Sequence, residues 1–262
     1  MRFLRLCLFV LVGFCLAFPA AAQQTVERDP VALAIAQQAL AAMGGGQSLL
    51  SYQDSEARGT LTIAVAASRN WPIVLKSKGT KKVRVELSKP NGTNTLIVNG
   101  GRGVLKHADR TTRRLQPYTT IGQRVSHIPV FSLLAEYWDS NVEVTYVGQA
   151  VVSGRPAEVV ALSLPSGDLL PASLARAASR TLFFIDKLSG LVAKVEYDHY
   201  AENDSNAKQK VETFFSDYRN VNGVLVPFRQ ITHTDGRLES ELVLSSVAFN
   251  VGISDSEFAL SE

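Results

Sequence analysis

Phe215-Ser-Asp-Tyr-Arg219-Asn-Val-Asn-Gly223-Val-Leu-Val-Pro227-Phe-Arg229 reads as the end of one strand, a tight turn at Asn222-Gly223 and the start of the next strand. Working outward, the two strands it joins cover residues 208–218 and 225–234. Asp235-Gly236 turns the chain into a third strand over 238–249. Upstream, Asn203-Asp204-Ser205-Asn206, Ser189-Gly190 and Ser153-Gly154 separate strands at 191–200, 181–186, 157–164 and 142–147. Strands joined by turns this short run antiparallel.

The same period of two appears nearer the N-terminus. Leu61, Ile63 and Val65 alternate with Thr60, Thr62 and Ala64, and Val83, Val85 and Leu87 alternate with Lys82, Arg84 and Glu86. Each is a strand with one apolar and one wet face, as in an antiparallel sheet packed on one side. Residues 95–99 and 104–107 form a hairpin around Gly100-Gly101-Arg102-Gly103. The same alternation puts Val195 with Tyr197, and Leu242 with Leu244, on the buried face. Two helices break the pattern. Asp29 caps the first, Pro30 suits its first position, and an Ala-rich run to Met43 carries Leu33, Ala36, Leu40 and Met43 on one stripe before Gly44-Gly45-Gly46 ends it. The second covers 129–138, with Phe131, Leu134 and Trp138 at helical spacing. The stretches 66–81 and 165–179 have no clear period, although an Ala-rich helix fits 174–178. The expectation is one mainly β (α+β) domain over 23–262, with ten or eleven antiparallel strands.

Residues 1–22 carry the marks of an export signal. Arg2 and Arg5 precede an apolar run from Leu6 to Phe18, and Pro19-Ala20-Ala21-Ala22 supplies a small-residue cleavage site with Gln23 as the first mature residue. The run is too short to span a bilayer, and no later apolar run approaches the ~20 residues a span needs. Both cysteines, Cys7 and Cys15, lie in this leader. Phe14 stands where a lipidation site needs a small residue. The mature chain therefore offers no disulfide, thiolate nucleophile or cysteine-ligated metal. Without the leader's two arginines, 25 basic and 24 acidic residues remain. That balance gives no electrostatic case for binding nucleic acid.

Catalytic patterns are missing. His107, His127, His199 and His233 show no paired metal-ligand spacing, although His199 and His233 fall on strands that could meet. There is no Gly-x-Ser-x-Gly elbow, and Ser205-Asn-Ala-Lys208 falls in a polar turn where the lysine stays charged. Neither glycine cluster lies between a strand and a helix N-terminus, so neither is placed to cradle phosphate. Asp54/Glu56 and Glu239/Glu241 read as solvated pairs, and Arg110, Arg113, Arg114 and Arg124 as a solvated basic loop or a contact for anionic headgroups. The sequence predicts no enzyme, no metal and no cofactor.

The order of elements, together with Met43-Gly-Gly-Gly, Arg58-Gly59-Thr60, Asp186-Lys-Leu-Ser-Gly190, the stretch quoted first and Phe249-Asn-Val-Gly-Ile-Ser-Asp255-Ser-Glu-Phe258, resembles the LolA/LolB-type superfamily of periplasmic lipoprotein carriers and outer-membrane lipoprotein-sorting proteins. The resemblance is sharpest over 182–258, and its motifs are turns and breaks that speak to fold before function. It implies a curved, incomplete antiparallel β barrel whose apolar hollow takes acyl chains. In that arrangement Leu61, Ile63, Val65, Val83, Val85, Leu87, Val195, Tyr197, Leu242 and Leu244 line the hollow. Leu33, Leu40, Met43, Phe131, Leu134 and Trp138 form a lid. The expected protein is a periplasmic monomer whose partners are lipid or lipoprotein acyl chains. The alternative is an interaction or sensor module that docks another envelope protein on the same face.

Overall fold

The computed structural model describes residues 26–45, 51–64, 69–123, 132–164 and 169–260. The expected leader, Val65, His127, Arg124 and Phe131 fall outside the described residues. Within them the chain forms a single antiparallel sheet in the order β6-β5-β4-β3-β2-β1-β13-β12-β11-β10-β9-β8-β7. The sheet is curved and not closed. It consists of two meanders. The first holds β1 (Asp54–Ile63), β2 (Arg69–Lys78), β3 (Lys82–Lys89), β4 (Gly92–Asn99), β5 (Arg102–Lys106) and β6 (Thr112–Leu115). The second holds β7 (Glu143–Val152), β8 (Arg155–Ser163), β9 (Thr181–Asp186), β10 (Val192–Ala201), β11 (Asp204–Val221), β12 (Val224–Thr234) and β13 (Arg237–Phe249). Pairing of β1 with β13 joins the meanders, so consecutive strands β6 and β7 end up on opposite edges.

The stretch 66–81 that shows no period in sequence supplies most of β2. Its Trp71, Ile73 and Leu75 do alternate, but Pro72 argues against a central strand because it has no amide hydrogen to donate. The structure resolves the conflict: the ladder from β2 to β3 starts at Ile73, so β2 is locally an edge at Pro72. The strand β6 also escapes the sequence reading, being only Thr112-Arg-Arg-Leu115.

The helix α1 (Pro30–Ala42) starts as predicted. The Asp29 carboxylate accepts from Val31 N and Ala32 N at 2.7 and 3.2 Å. Its buried face is Ala32, Ala36, Ala39 and Leu40, and Met43 follows, also buried. Leu33 is only half-buried. Small residues let this helix approach the sheet closely. Beyond it, Leu225 N donates to Met43 O at 2.8 Å, and a Cβ on Gly44 would stand 2.3 Å from Gly223 O. Met43-Gly44 and the Asn222-Gly223 turn are thus two halves of one docking contact. Before the helix, the Arg28 guanidinium donates to Tyr137 O, Asp139 O and Val142 O. It ties the helix entrance to the turn that leads into β7.

Among the described residues, short helices follow the first meander and punctuate the second. They are α2 (Pro117–Gln123), α3 (Ser132–Ala135) and α4 (Ala172–Ser179). The helix α2 sits between the meanders: Thr120 donates to Gly101 O at 2.5 Å, and Tyr118 donates to Glu202 O at 2.9 Å. Gln116 N and Arg113 also reach the Glu202 carboxylate, at 2.7 and 3.9 Å. The C-terminal segment crosses the other face of β3–β5. There Ile253 and Phe258 pack on Ile97 and Val104, Asp255 pairs with Lys78 and Lys82, and Glu257 pairs with Lys76 and Arg84.

Candidate functional site

Directly opposed residues of an antiparallel pair project to the same side of the sheet. The registers therefore trace one face across the molecule. Leu61 lies opposite both Leu242 and Trp71, Ile63 opposite Ser240, and Gly59 opposite both Leu244 and Ile73. Ile73, Leu75 and Ser77 oppose Leu87, Val85 and Val83. Leu96 opposes Val85 and Leu105. On the other side of β13, Gln230 opposes Leu242 and Phe215, Thr232 opposes Thr213, and Thr213 opposes Val195; Val211 opposes Tyr197. Every described strand residue expected to line the hollow, from Leu61 and Ile63 through Val83, Val85, Leu87, Val195 and Tyr197 to Leu242 and Leu244, lies on this face.

The face changes character from one meander to the other. Over β7–β13 it is closed: α1 packs on β7 and β8, and Val144, Val160, Leu162, Phe183 and Val195, all buried, join it in one continuous core. Over β1–β5 it is less covered: Leu61, Ile63, Trp71, Val85, Leu87, Leu96 and Leu105 are all half-buried, while Ile73, Leu75, Val83 and Val98 are buried. The result is an apolar floor that runs from a packed end to an accessible one.

The expected lid is placed as follows. Leu40 and Met43 are buried in the core, with Leu33 against its edge, and Leu134 is fully buried there. Trp138 is not part of it. The helix α3 ends at Ala135, and Tyr137 N to Leu134 O and Asp139 N to Glu136 O close tight turns that break the helical spacing. The Trp138 side chain is turned outward and is 60% exposed.

Sequence reasoning missed the floor residues on β2, and it missed Gln230. Gln230 lies among apolar neighbours at 5% exposure, and its Nε2 has no hydrogen-bond partner. Beside it, the Thr213 and Thr232 hydroxyls pair at 3.2 Å. The alternation of Val226, Phe228 and Gln230 on one face was available as a signal.

His199 and His233 do not meet: β11 separates their strands, with His199 opposite Gln209 and His233 opposite Glu212. Among the described residues no group of three or more His, Cys, Asp or Glu converges on a metal-sized site. Asp186 is the most perturbed carboxylate: the Arg155 guanidinium, bonded to it at 2.6 and 2.8 Å, holds it well below the usual carboxylate range. It also accepts from Leu188 N, Ser189 N and Ser189 Oγ, which makes it the anchor of the β9–β10 turn. Burial pushes the Tyr218 phenol up, and its hydroxyl donates to Val192 O at 2.6 Å.

No protein-family model matches the sequence. No curated protein matches it significantly. Solved structures do. A LolA superfamily protein from Nitrosomonas europaea is 13% identical, with 87% of this chain and 97% of that one covered, at a TM-score of 0.57. A Vibrio parahaemolyticus domain described as an outer membrane lipoprotein-sorting protein is 15% identical, covering 87% and 96%, at 0.55. A DUF1329 family protein from Desulfovibrio piger is 16% identical, covering 89% and 98%, at 0.55. This chain has a LolA-like fold.

Proposed function

We propose that this protein is an exported carrier that works in the periplasm and shields the acyl chains of a lipid or lipoprotein against the apolar face of its sheet. The observation that carries the proposal is the half-buried floor of Leu61, Trp71, Val85, Leu87 and Leu96, of which Leu61, Val85 and Leu87 pack against the core without being sealed by it. A soluble domain gains little from leaving so many large apolar side chains together in partial contact with water. Covering them with an acyl chain contributes about 0.8 kcal/mol per buried CH₂. The LolA-like fold supports the reading.

Native mass spectrometry of protein purified from an envelope extract, followed by lipid extraction, tests it. The expected result is a co-purifying acyl lipid that is lost in Leu87→Asp and Val85→Lys, both directed at the floor. Protein that never carries lipid, yet crosslinks in cells to one protein partner through the same floor, would replace the carrier with a docking module. N-terminal sequencing of the exported protein is expected to begin at Gln23.

A further inference from the structure

The opposite face of the second meander holds a hollow of about 670 Å³. Two adjacent irregularities open it. The strand β10 carries an extra residue at Ala193, and the β11–β12 ladder keeps its register but skips the pair at Asp217, where φ is +53°. The walls are Val152, Leu191, Ala193, Phe214, Ile231 and Tyr218. On β12, Arg229, Ile231 and His233 alternate, so all three stand on this face, opposite Ser216, Phe214 and Glu212 of β11. The volume falls within the ~300–1,000 Å³ of small-molecule sites, which are also apolar with a few placed polar groups.

Its polar groups favour an acceptor. The one carboxylate in the lining, Asp186, is fully engaged by Arg155 and the β9–β10 turn. The neighbouring carboxylates are engaged too: Glu212 with Lys194, and Glu241 with Arg229. The Arg229 bond to Glu241 uses Nε at 2.6 Å and leaves the two terminal nitrogens of a half-exposed side chain. His233 stands edge-on to Phe214 at 5.6 Å, and its Nδ1 is enclosed with no partner. An enclosed ring nitrogen without a partner leaves its desolvation uncompensated unless something supplies one.

We infer that this hollow binds a medium-chain fatty acid, with the alkyl chain over Phe214, Ile231 and Leu191 and the carboxylate at Arg229, where His233 completes the hydrogen bonding. The site is separate from the apolar floor, being on the other side of the sheet.

Methyl NMR with decanoate tests this on the full mature chain. Decanoate is expected to shift the Ile231 and Val152 methyls saturably. Arg229→Met should weaken that binding tenfold or more and His233→Leu several-fold, with His233→Gln retaining most of it. Decanol should bind at least tenfold more weakly than decanoate. Ile231→Trp, which fills the hollow, should abolish the effect while circular dichroism reports an unchanged fold. Shifts confined to the Val85 and Leu87 methyls would overturn the inference and leave the carrier proposal standing. So would equal affinities for decanoate and decanol, or for wild type and Arg229→Met. Decanoate binding at Ile231 by a chain that carries no acyl lipid on its floor would overturn the carrier alone.

Discussion

Gly59→Ala isolates the close approach of β1 to β13, the strand pair that joins the two meanders. Gly59 has an ordinary negative φ, so the substitution adds no backbone strain of its own. Its added Cβ, however, would stand 2.3 Å from Val243 O, 2.9 Å from Leu244 Cα and 3.1 Å from Val243 C. All three atoms are backbone of β13, where Ser245 is the extra residue of a bulge opposite the Arg58/Gly59 step. Restoring ordinary contact, near 3.4 Å, needs β13 to retreat by about 1 Å, which lengthens the flanking ladder bonds beyond hydrogen-bonding range. One or two lost bonds at ~1 kcal/mol each, added to an overpacking cost of 1–3 kcal/mol, give about 3 kcal/mol. For a chain of this size that is a fall in Tm of roughly 6–12 °C. Thermal unfolding followed by far-UV circular dichroism measures it. The internal comparison is Gly236→Ala, which has φ +75° and no atom within 4 Å of its added Cβ, and whose cost of ~1 kcal/mol is backbone strain alone. A Gly59→Ala protein that melts within 2 °C of wild type, or above Gly236→Ala, would refute the close-approach argument.

Three further outcomes follow from the same structure. Asp186→Asn is expected to cost about 2 kcal/mol at neutral pH by removing the charged bonds to Arg155 and the turn. Because the folded carboxyl lies below its unfolded value, near 3.9, this stabilisation is complete above that value and is lost as the pH falls further, so denaturation of wild type and variant should converge in acid. Gln230→Leu removes a buried amide whose Nε2 is unpaired and should raise stability by about 1 kcal/mol in urea unfolding. Asp255→Asn with Glu257→Gln should speed hydrogen exchange at the Val251 and Ile253 amides at low salt, and the difference from wild type should vanish in 1 M salt.

The sheet was legible because its strands alternate and its turns are punctuated. Val83, Val85 and Leu87 announce both a strand and its buried side, and Asn222-Gly223 announces a hairpin. What sequence could not show was how local irregularities redirect a face. Leu242 and Leu244 differ in parity from Val247 and Phe249, yet the bulge at Ser245 brings Val247 and Phe249 opposite Ala57 and Ser55, on the same side. Pro72 hid β2, because a proline is tolerated only where a neighbouring ladder has ended, and that depends on the length of β3. Trp138 was misplaced because its spacing from Leu134 implies another helical turn, whereas the chain tightens after Ala135 to meet Arg28. Gln230 went unnoticed because an amide in an alternating strand reads as wet until its neighbours are known.

The arrangement around Glu202 has a mechanical consequence. The two edges of the sheet, β6 and β7, share no ladder, so the gap between them can widen without breaking any strand pairing. Resistance to widening across that gap includes three contacts on Glu202, made by the Tyr118 hydroxyl, the Gln116 amide and the Arg113 guanidinium. Hydrogen bonds of this kind contribute about 1 kcal/mol each, far less than a strand pair. The molecule is therefore built like a book, with its spine at β1 and β13, and the clasp at Glu202 contributes only a few kilocalories toward holding its covers, the same order as the gain from a short stretch of hydrocarbon laid between them.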